Sequence, residues 1–414
     1  MKLNSASALN ISLHWDSNDI QPVGRLAYRD RMAFLEYDET FLAARVHISP
    51  VHHRTGGGLH RPDDPSAFAG LHGVFNDSLP DGWGRLLVDR RALQLGIDPA
   101  TLTPLDRLAC VGCSGIGALC YEPVSDVWQP GPEKIALEQL ATDAGRVLAG
   151  DASEILSVLG QVGGSPGGAR PKALVAINEN GHAIHGTAQI PEDYQHYLVK
   201  FPGPDDPVDI AAIELAYGMM ARDAGVITTE NRLLGGNQGN SFFASKRFDR
   251  HGSGRVHVHS ACGLLYSDIR SPALDYKDLI LLTRAVTRDR RQCKAMFRLA
   301  VFNVLAHNRD DHARQFSFIM ARDGTWTMAP AYDLTWSQGP GGEQSCSVMG
   351  HGRDITQAHL IQLARQADLN ESDAAEIIDQ CRAATVKWPL FAAEAGVGKK
   401  SIALIGQALA KVRV

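Results

Sequence analysis

The feature that most restricts this chain is a change of hydrophobic period along its length. Up to about residue 123 short runs such as Gly24-Arg-Leu-Ala-Tyr and Met32-Ala-Phe-Leu-Glu-Tyr read as strands separated by turns, with a Gly/His/Pro-rich loop from His52 to Pro65. From about Asp275 onward three- and four-residue spacing dominates, with Phe297, Val301, Val304 and Leu305 on one helical face. A β-rich stretch followed by an α-rich one predicts an α+β protein rather than an alternating parallel sheet. No internal repeat, low-complexity segment or coiled-coil seam interrupts this order.

Between these ends, two prolines and a glycine in residues 125–132 precede a helical pattern from Glu133 to Ala149, which stops at Gly150. A boundary is expected there. The next unit opens with Gly163-Gly-Ser-Pro-Gly-Gly-Ala-Arg-Pro-Lys172, a glycine-rich loop running into the apolar strand Ala173-Leu-Val-Ala-Ile177. A second strand, Tyr197-Leu-Val-Lys200, leads to a helix in which Ile210, Ile213, Ala216, Tyr217, Met220 and Ala221 repeat, with Asp209 as N-cap and Gly225 as stop.

With 414 residues, two or three domains are expected, and 44% hydrophobic against 21% charged residues excludes global disorder. Lys+Arg 41 against Asp+Glu 46 gives a net charge of −5. No domain-wide basic field is available to grip phosphate backbones, so autonomous DNA binding is not expected. Seven irregularly spaced cysteines argue against a disulfide framework and for a reducing, cytoplasmic setting. Cys110-Val-Gly-Cys113 has the two-residue spacing of metal ligands but no second such pair, so these cysteines read as ordinary small core residues. Neither an apolar signal segment nor a run of about 18 apolar residues is present, so no membrane association is expected.

The densest polar cluster, His307-Asn-Arg-Asp-Asp-His-Ala-Arg-Gln315, lies between a helix and the strand Phe316-Ser-Phe-Ile-Met320. Carboxylates in such a turn accept protons or hold cations unless they are a solvated loop. Phosphoryl transfer needs a carboxylate to orient the hydroxyl, an amide and an acid on Mg²⁺, and a lysine on the phosphates. Kinases place the amide five residues after the base, and Asp310 is followed at that spacing by Gln315. A strand pair across the turn Asp323-Gly324 then delivers Tyr332-Asp333, the expected place of the second acid. Upstream, Lys200 and Glu214 follow the order in which kinases supply the phosphate lysine and its acidic partner.

These motifs resemble, over nearly the whole chain, the HipA family of bacterial toxin kinases from type II toxin–antitoxin systems. The resemblance rests on Ser165-Pro-Gly-Gly-Ala-Arg-Pro-Lys172, on His196-Tyr-Leu-Val-Lys-Phe-Pro202, on Arg247-Phe-Asp-Arg250 and on the Asp-Asp-His loop followed 23 residues later by Tyr-Asp. Phe75-Asn-Asp-Ser-Leu-Pro-Asp-Gly-Trp83 and Gly115-Ile-Gly-Ala-Leu119 add to it in the N-terminal part. The resemblance implies an α+β, bilobal kinase fold with a β-containing N-terminal lobe and an all-α C-terminal lobe. It divides the chain into an N-terminal subdomain over 1–125, a nucleotide-binding β-rich part over 126–245 and a catalytic α-rich lobe over 246–414.

It further implies an ATP- and Mg²⁺-dependent serine/threonine protein kinase. Asp310 is then the base and His312 an active-site histidine. Asp333 and Gln315 hold the metal, and Ser165, Gly167, Gly168, Lys172, Lys200, Arg247, Phe248 and Tyr332 surround the nucleotide. Ser165 matches the family's autophosphorylated serine, whose modification displaces the loop and switches the kinase off. The implied partners are a small HipB-like helix-turn-helix antitoxin, DNA only through that antitoxin, and a protein substrate of the translation machinery such as an aminoacyl-tRNA synthetase. Two departures stand out: Gln315 replaces the usual asparagine and is one methylene longer, and Asp311 and Arg314 replace a glycine and a lysine seen in some members. A weakened pseudokinase serving as antitoxin-binding corepressor is the alternative reading, and a metal-dependent phosphohydrolase built on His307, Asp310, Asp311 and His312 is a third.

Overall fold

The computed structural model describes residues 7–51, 55–125, 134–150, 159–160, 168, 170–186, 190–235, 241–267 and 274–412. They form two compact units, each built from discontinuous stretches of chain. The first comprises Met1–Asp206, Leu234–His259 and Ile319–Gly324, and the second Pro207–Leu233, Ser260–Phe318 and Thr325–Val414.

The first unit begins with β1 (Ala8–His14), β2 (Ile20–Arg29) and β3 (Met32–Tyr37), followed by α1 (Glu39–Ala44) and β4 (Leu59–His60). Next come α2 (Gly73–Asn76), α3 (Gly82–Gln94), α4 (Pro104–Val111) and β5 (Leu119–Glu122). The sheet order is β4-β3-β2-β1-β5. Along β1, Leu9, Ile11 and Leu13 are buried while their neighbours are less so, the period-2 pattern of a sheet with one face in the core. α4 starts with a capping box, in which Thr103 and Asp106 satisfy each other's backbone N–H groups.

A second sheet contains β6 (Lys134–Ile135), β7 (Lys172–Asn178), β8 (Ala183–His185), β9 (Tyr194–Lys200), β10 (Asn231–Gly235) and β11 (Ser241–Lys246). Its order is β10-β11-β9-β7-β8-β6, and the unit boundary falls within the edge strand β10. β7 is buried at all seven positions, which is why its sequence reads as a continuous apolar run. Trp83 and Leu87 of α3, and Leu140, Ala144 and Val147 of α5 (Leu137–Leu148), share one core with Ala173, Val175 and Ile177 of β7 and Val199 of β9. Full burial of each large side chain there contributes about 1.5–3 kcal/mol.

The second unit is helical: α6 (Ile210–Asp223), α7 (Ala261–Leu265), α8 (Tyr276–Thr287), α9 (Arg290–Leu305), α10 (Gln357–Gln366), α11 (Glu371–Val386), α12 (Trp388–Ala395) and α13 (Lys399–Leu409). α9 packs on α8 and α11, and α6 on α11 and α12. Phe297, Val301, Val304 and Leu305 are all buried, as their spacing predicts. Asp209 does precede α6, but its carboxylate makes no cap bond there; it accepts instead from the Gly398 N–H at 2.9 Å and the Ser401 hydroxyl at 3.0 Å, fastening the start of α13. The α+β class and the helical C-terminal region are as expected. Among the described residues, no helix is long and apolar enough to cross a membrane.

The cysteines depart from expectation. Cys113 and Cys120 are joined as a disulfide, while Cys110, Cys262, Cys293, Cys346 and Cys381 are buried thiols outside any disulfide. Cys110 is drawn into the packing of α4, so the two-residue spacing to Cys113 has no chemical consequence. Only the return of the chain along β5 brings Cys120 back to Cys113.

Candidate active site

In the second unit, the polar turn begins where α9 ends. His307 takes a left-handed conformation (φ 51), and the Asn308 N–H turns back to the Asn303 carbonyl at 2.9 Å. Asn308 Nδ2 donates to Asn303 Oδ1 (2.9 Å), Asn303 Nδ2 to the Tyr276 hydroxyl (2.9 Å), and that hydroxyl to Asp311 Oδ2 (2.6 Å). Asp311 also accepts from Gln344 Nε2 at 2.9 Å and from the backbone N–H groups of Ser345 at 2.8 Å and Cys346 at 3.1 Å. Burial pushes the Asp311 carboxyl up to about 6 despite these four donors. The turn is therefore held from below by a buried carboxylate.

Asp310, one residue earlier, faces the other way, with its side chain 61% exposed. His312 Nε2 lies 4.0 Å from Asp310 Oδ1, and its Nδ1 accepts from the Arg314 N–H at 3.3 Å, capping the short turn over Ala313–Gln315. Gln315 Nε2 donates to Asp333 Oδ2 at 3.0 Å and lies 3.5 Å from His312 Nε2. Asp333 itself sits in the left-handed region (φ 56), a conformation that costs a non-glycine residue energy and that clusters at functional sites. Tyr332 braces the same turn, its hydroxyl donating to the Arg314 carbonyl at 2.5 Å and sharing a 2.7 Å bond with Ser317 Oγ. Asp310, His312, Gln315 and Asp333 thus form one polar cluster.

The donor set suits a hard cation. Asp333 offers a carboxylate, and a rotation of the neighbouring Gln315 amide about its last bond would turn its oxygen toward a cation held there. The extra methylene of Gln315 does not keep it from Asp333. His307 is held down to about 4 by burial and by the nearby Arg309 charge, so it is neutral at pH 7.

In the first unit, Lys200 ends β9 opposite Lys172 and Phe243 on its neighbouring strands, and its ammonium lies 5.4 Å from the centre of the Phe243 ring. Lys172 is buried, with Nζ against Gly168: a Cβ added to Gly168 would stand 2.5 Å from it. Gly168 is clamped by the N-terminal motif, its N–H donating to Asp81 and its carbonyl accepting from the Trp83 N–H at 2.9 Å. The Trp83 indole also donates to the Lys172 carbonyl at 3.2 Å. Asp81 and Trp83 were legible only as members of a motif; their hold on the glycine-rich loop is a tertiary fact. Ser165 and Gly167 lie outside the described residues.

The guanidinium of Arg247 is taken up by Asp249 (2.9 and 2.6 Å) and the Gly115 carbonyl (3.1 Å). Arg250 donates to Asp249 Oδ2 at 2.7 Å, the Gly117 carbonyl at 2.8 Å and the Gly115 carbonyl at 2.9 Å. Asp249 also accepts from the Gly117 N–H at 2.7 Å, and although its burial opposes ionisation, the two arginines hold it well below the usual carboxylate range. Three charges of Arg247-Phe-Asp-Arg250 thus anchor Gly115-Ile-Gly-Ala-Leu119, leaving half-buried Phe248 as the one uncharged side chain of that motif. Glu214 is buried on α6 in the second unit.

Comparison with known proteins defines the class. The chain matches the HipA-like C-terminal domain over residues 164–388 and the HipA N-terminal domain over residues 17–122. The protein belongs to the HipA family. Its fold is similar to that of HipA in the Shewanella oneidensis MR-1 complex of HipA, HipB and operator DNA, with TM-score 0.67 at 16% identity over 96% of this chain and 95% of that one. A Helicobacter pylori proinflammatory kinase, CtkA, aligns over 57% of this chain and 90% of its own at 14% identity, with TM-score 0.36. No curated protein matches by sequence.

Proposed function

We propose that the protein is the toxin of a type II toxin–antitoxin pair, a cytoplasmic ATP- and Mg²⁺-dependent serine/threonine protein kinase. The observation that carries the reading is the contact of Gln315 with Asp333, made beside His312 and exposed Asp310 on a turn fixed from below by Asp311. Bound Mg²⁺, held by Asp333 and Gln315, would neutralise charge on the phosphates. Lys200 contacts those phosphates as a point charge, with Lys172 and Gly168 lining the loop. Asp310 orients the incoming hydroxyl and accepts its proton, and His312 fixes the turn on which both sit. Phe248 offers an apolar surface to the nucleotide base, whereas the charges of Arg247 serve the fold.

The protein substrate is a translation component of the aminoacyl-tRNA synthetase type, and Ser165 is the autophosphorylated residue. The antitoxin is a HipB-like protein that supplies DNA contact, consistent with a chain of net charge −5. The test is transfer from labelled ATP with Mg²⁺. Label on a serine or threonine of the chain or of a lysate protein, lost in Asp310→Ala, is the expected result. Equal labelling by wild type and Asp310→Ala would overturn the assignment, as would no labelling at all.

A further inference from the structure

The N-terminal sheet brings three metal-ligating side chains to one point, far in sequence from the turn described above. His14 is the last residue of β1, Cys120 lies on β5 opposite Ser12 of β1, and Cys113 follows α4. One ring nitrogen and two sulfurs lie within 4.8 Å of one another, a grouping of three such ligands met nowhere else among the described residues. The backbone fixes the arrangement on both sides: the His14 N–H donates to the Ala118 carbonyl at 2.9 Å and the Tyr121 N–H to the Gly112 carbonyl at 3.3 Å. Cys120 is buried while His14 and Cys113 are half-buried.

Its surroundings suit thiolate chemistry. Arg255 Nη1 donates to the Cys113 carbonyl at 2.8 Å and lies 3.8 Å from Cys120 Sγ, a cation set beside the two sulfurs. Ser12 Oγ shares a 3.0 Å hydrogen bond with His14 Nε2, the kind of outer contact that fixes a ligating ring. The two thiolates carry two negative charges into a partly buried place, which a divalent cation bound between them would offset.

We propose that His14, Cys113 and Cys120 form a redox-gated site for one borderline-soft divalent cation, with Zn²⁺ as its probe: the reduced pair and the imidazole bind the ion, and the disulfide excludes it. Two equivalents of a small thiol reduce the Cys113–Cys120 bond, giving two protein thiols and one small-molecule disulfide. Binding then releases two thiol protons. In reverse, a disulfide oxidant and two protons regenerate the protein disulfide, two small thiols and the free ion. Tetrahedral zinc with sulfurs at about 2.3 Å needs them about 3.8 Å apart, so reduction of the Cys113–Cys120 bond must let the two sulfurs part before the ion enters, and a solvent molecule completes the four ligands.

The test uses the full chain, reduced with a phosphine and freed of it, titrated with Zn²⁺ against a chromophoric chelator. One equivalent is expected to bind. Cys113→Ser, Cys120→Ser and His14→Ala should each weaken binding at least tenfold, and Cys110→Ala should leave it unchanged. On the unmutated chain, Zn²⁺ should shield Cys113 and Cys120 from alkylation, and glutathione disulfide should release the ion as the disulfide forms. No bound zinc, alkylation indifferent to zinc, or zinc retained by a folded Cys113→Ser/Cys120→Ser chain would each overturn the site. These readouts are independent of phosphoryl transfer, so failure here leaves the kinase reading standing, and the converse.

Discussion

Replacing Asp310 and Asp311 one at a time with alanine separates chemistry from architecture across a single peptide bond. Asp310 is 61% exposed at its side chain, so Asp310→Ala should change stability by no more than about 0.5 kcal/mol while abolishing transfer. Asp311 is fully buried and accepts from Tyr276, Gln344, Ser345 and Cys346. Asp311→Ala strands these neutral donors, and leaving buried donors unsatisfied costs about 1–3 kcal/mol.

The pH dependence adds a second check. The folded carboxyl titrates at about 6 against 3.8 for the free group, so the folded state holds the proton more tightly. The stabilising contribution is therefore complete below 3.8 and is lost as pH rises to 6, about 3 kcal/mol in all at about 1.4 kcal/mol per pH unit. About 1.4 kcal/mol of this falls between pH 5 and 8, so the deficit of Asp311→Ala should narrow by that amount over the interval. Urea unfolding at both pH values, with hydrogen exchange of the α9 amides, measures it. Asp311→Ala with an unshifted midpoint, or a deficit that widens with pH, would refute the reasoning.

Three further outcomes follow. Gln315→Ala removes the amide from Asp333 and should raise the Mg²⁺ concentration for half-maximal transfer at least tenfold, about 1.4 kcal/mol, read from a Mg²⁺ titration of labelling. Gly339 has φ 70, and a Cβ there would collide with the Glu343 carbonyl and approach Arg309 Cβ to 2.7 Å; Gly339→Ala should destabilise the second unit by about 2–3 kcal/mol in thermal unfolding. Tyr217→Phe deletes the buried bond from its hydroxyl to the Ala306 carbonyl (2.7 Å), just before the turn that begins at His307, at a cost of about 1–2 kcal/mol in urea unfolding.

Much of the architecture could be read from residue order alone. β7 announces itself as an unbroken apolar run, and α9 as a three- and four-residue repeat, because local periodicity records which face of each element is buried. The spacing of Asp310, Gln315 and Asp333 marks the turn in the sequence, and the fold brings Gln315 and Asp333 together and sets Asp310 near His312. Those same features could not tell Asp310 from Asp311. Both are aspartates in a polar turn, and only the packing of Tyr276 and the 344–346 segment buries one and leaves the other in solvent.

The remainder belongs to contacts between residues distant in the chain. The hold of Arg247 on Asp249 and Gly115 is visible only in the fold, and Asp81 and Trp83 gain a role only when Gly168 comes to rest on them. Likewise the pairing of Cys113 with Cys120 rather than its near neighbour Cys110 depends on where β5 returns to β1. Periodicity and spacing are properties of a few consecutive residues and survive in the sequence. Partnership across 80 or more positions, as between Asp81 and Gly168, is set by which faces the core forces together, and the sequence determines it only through the fold.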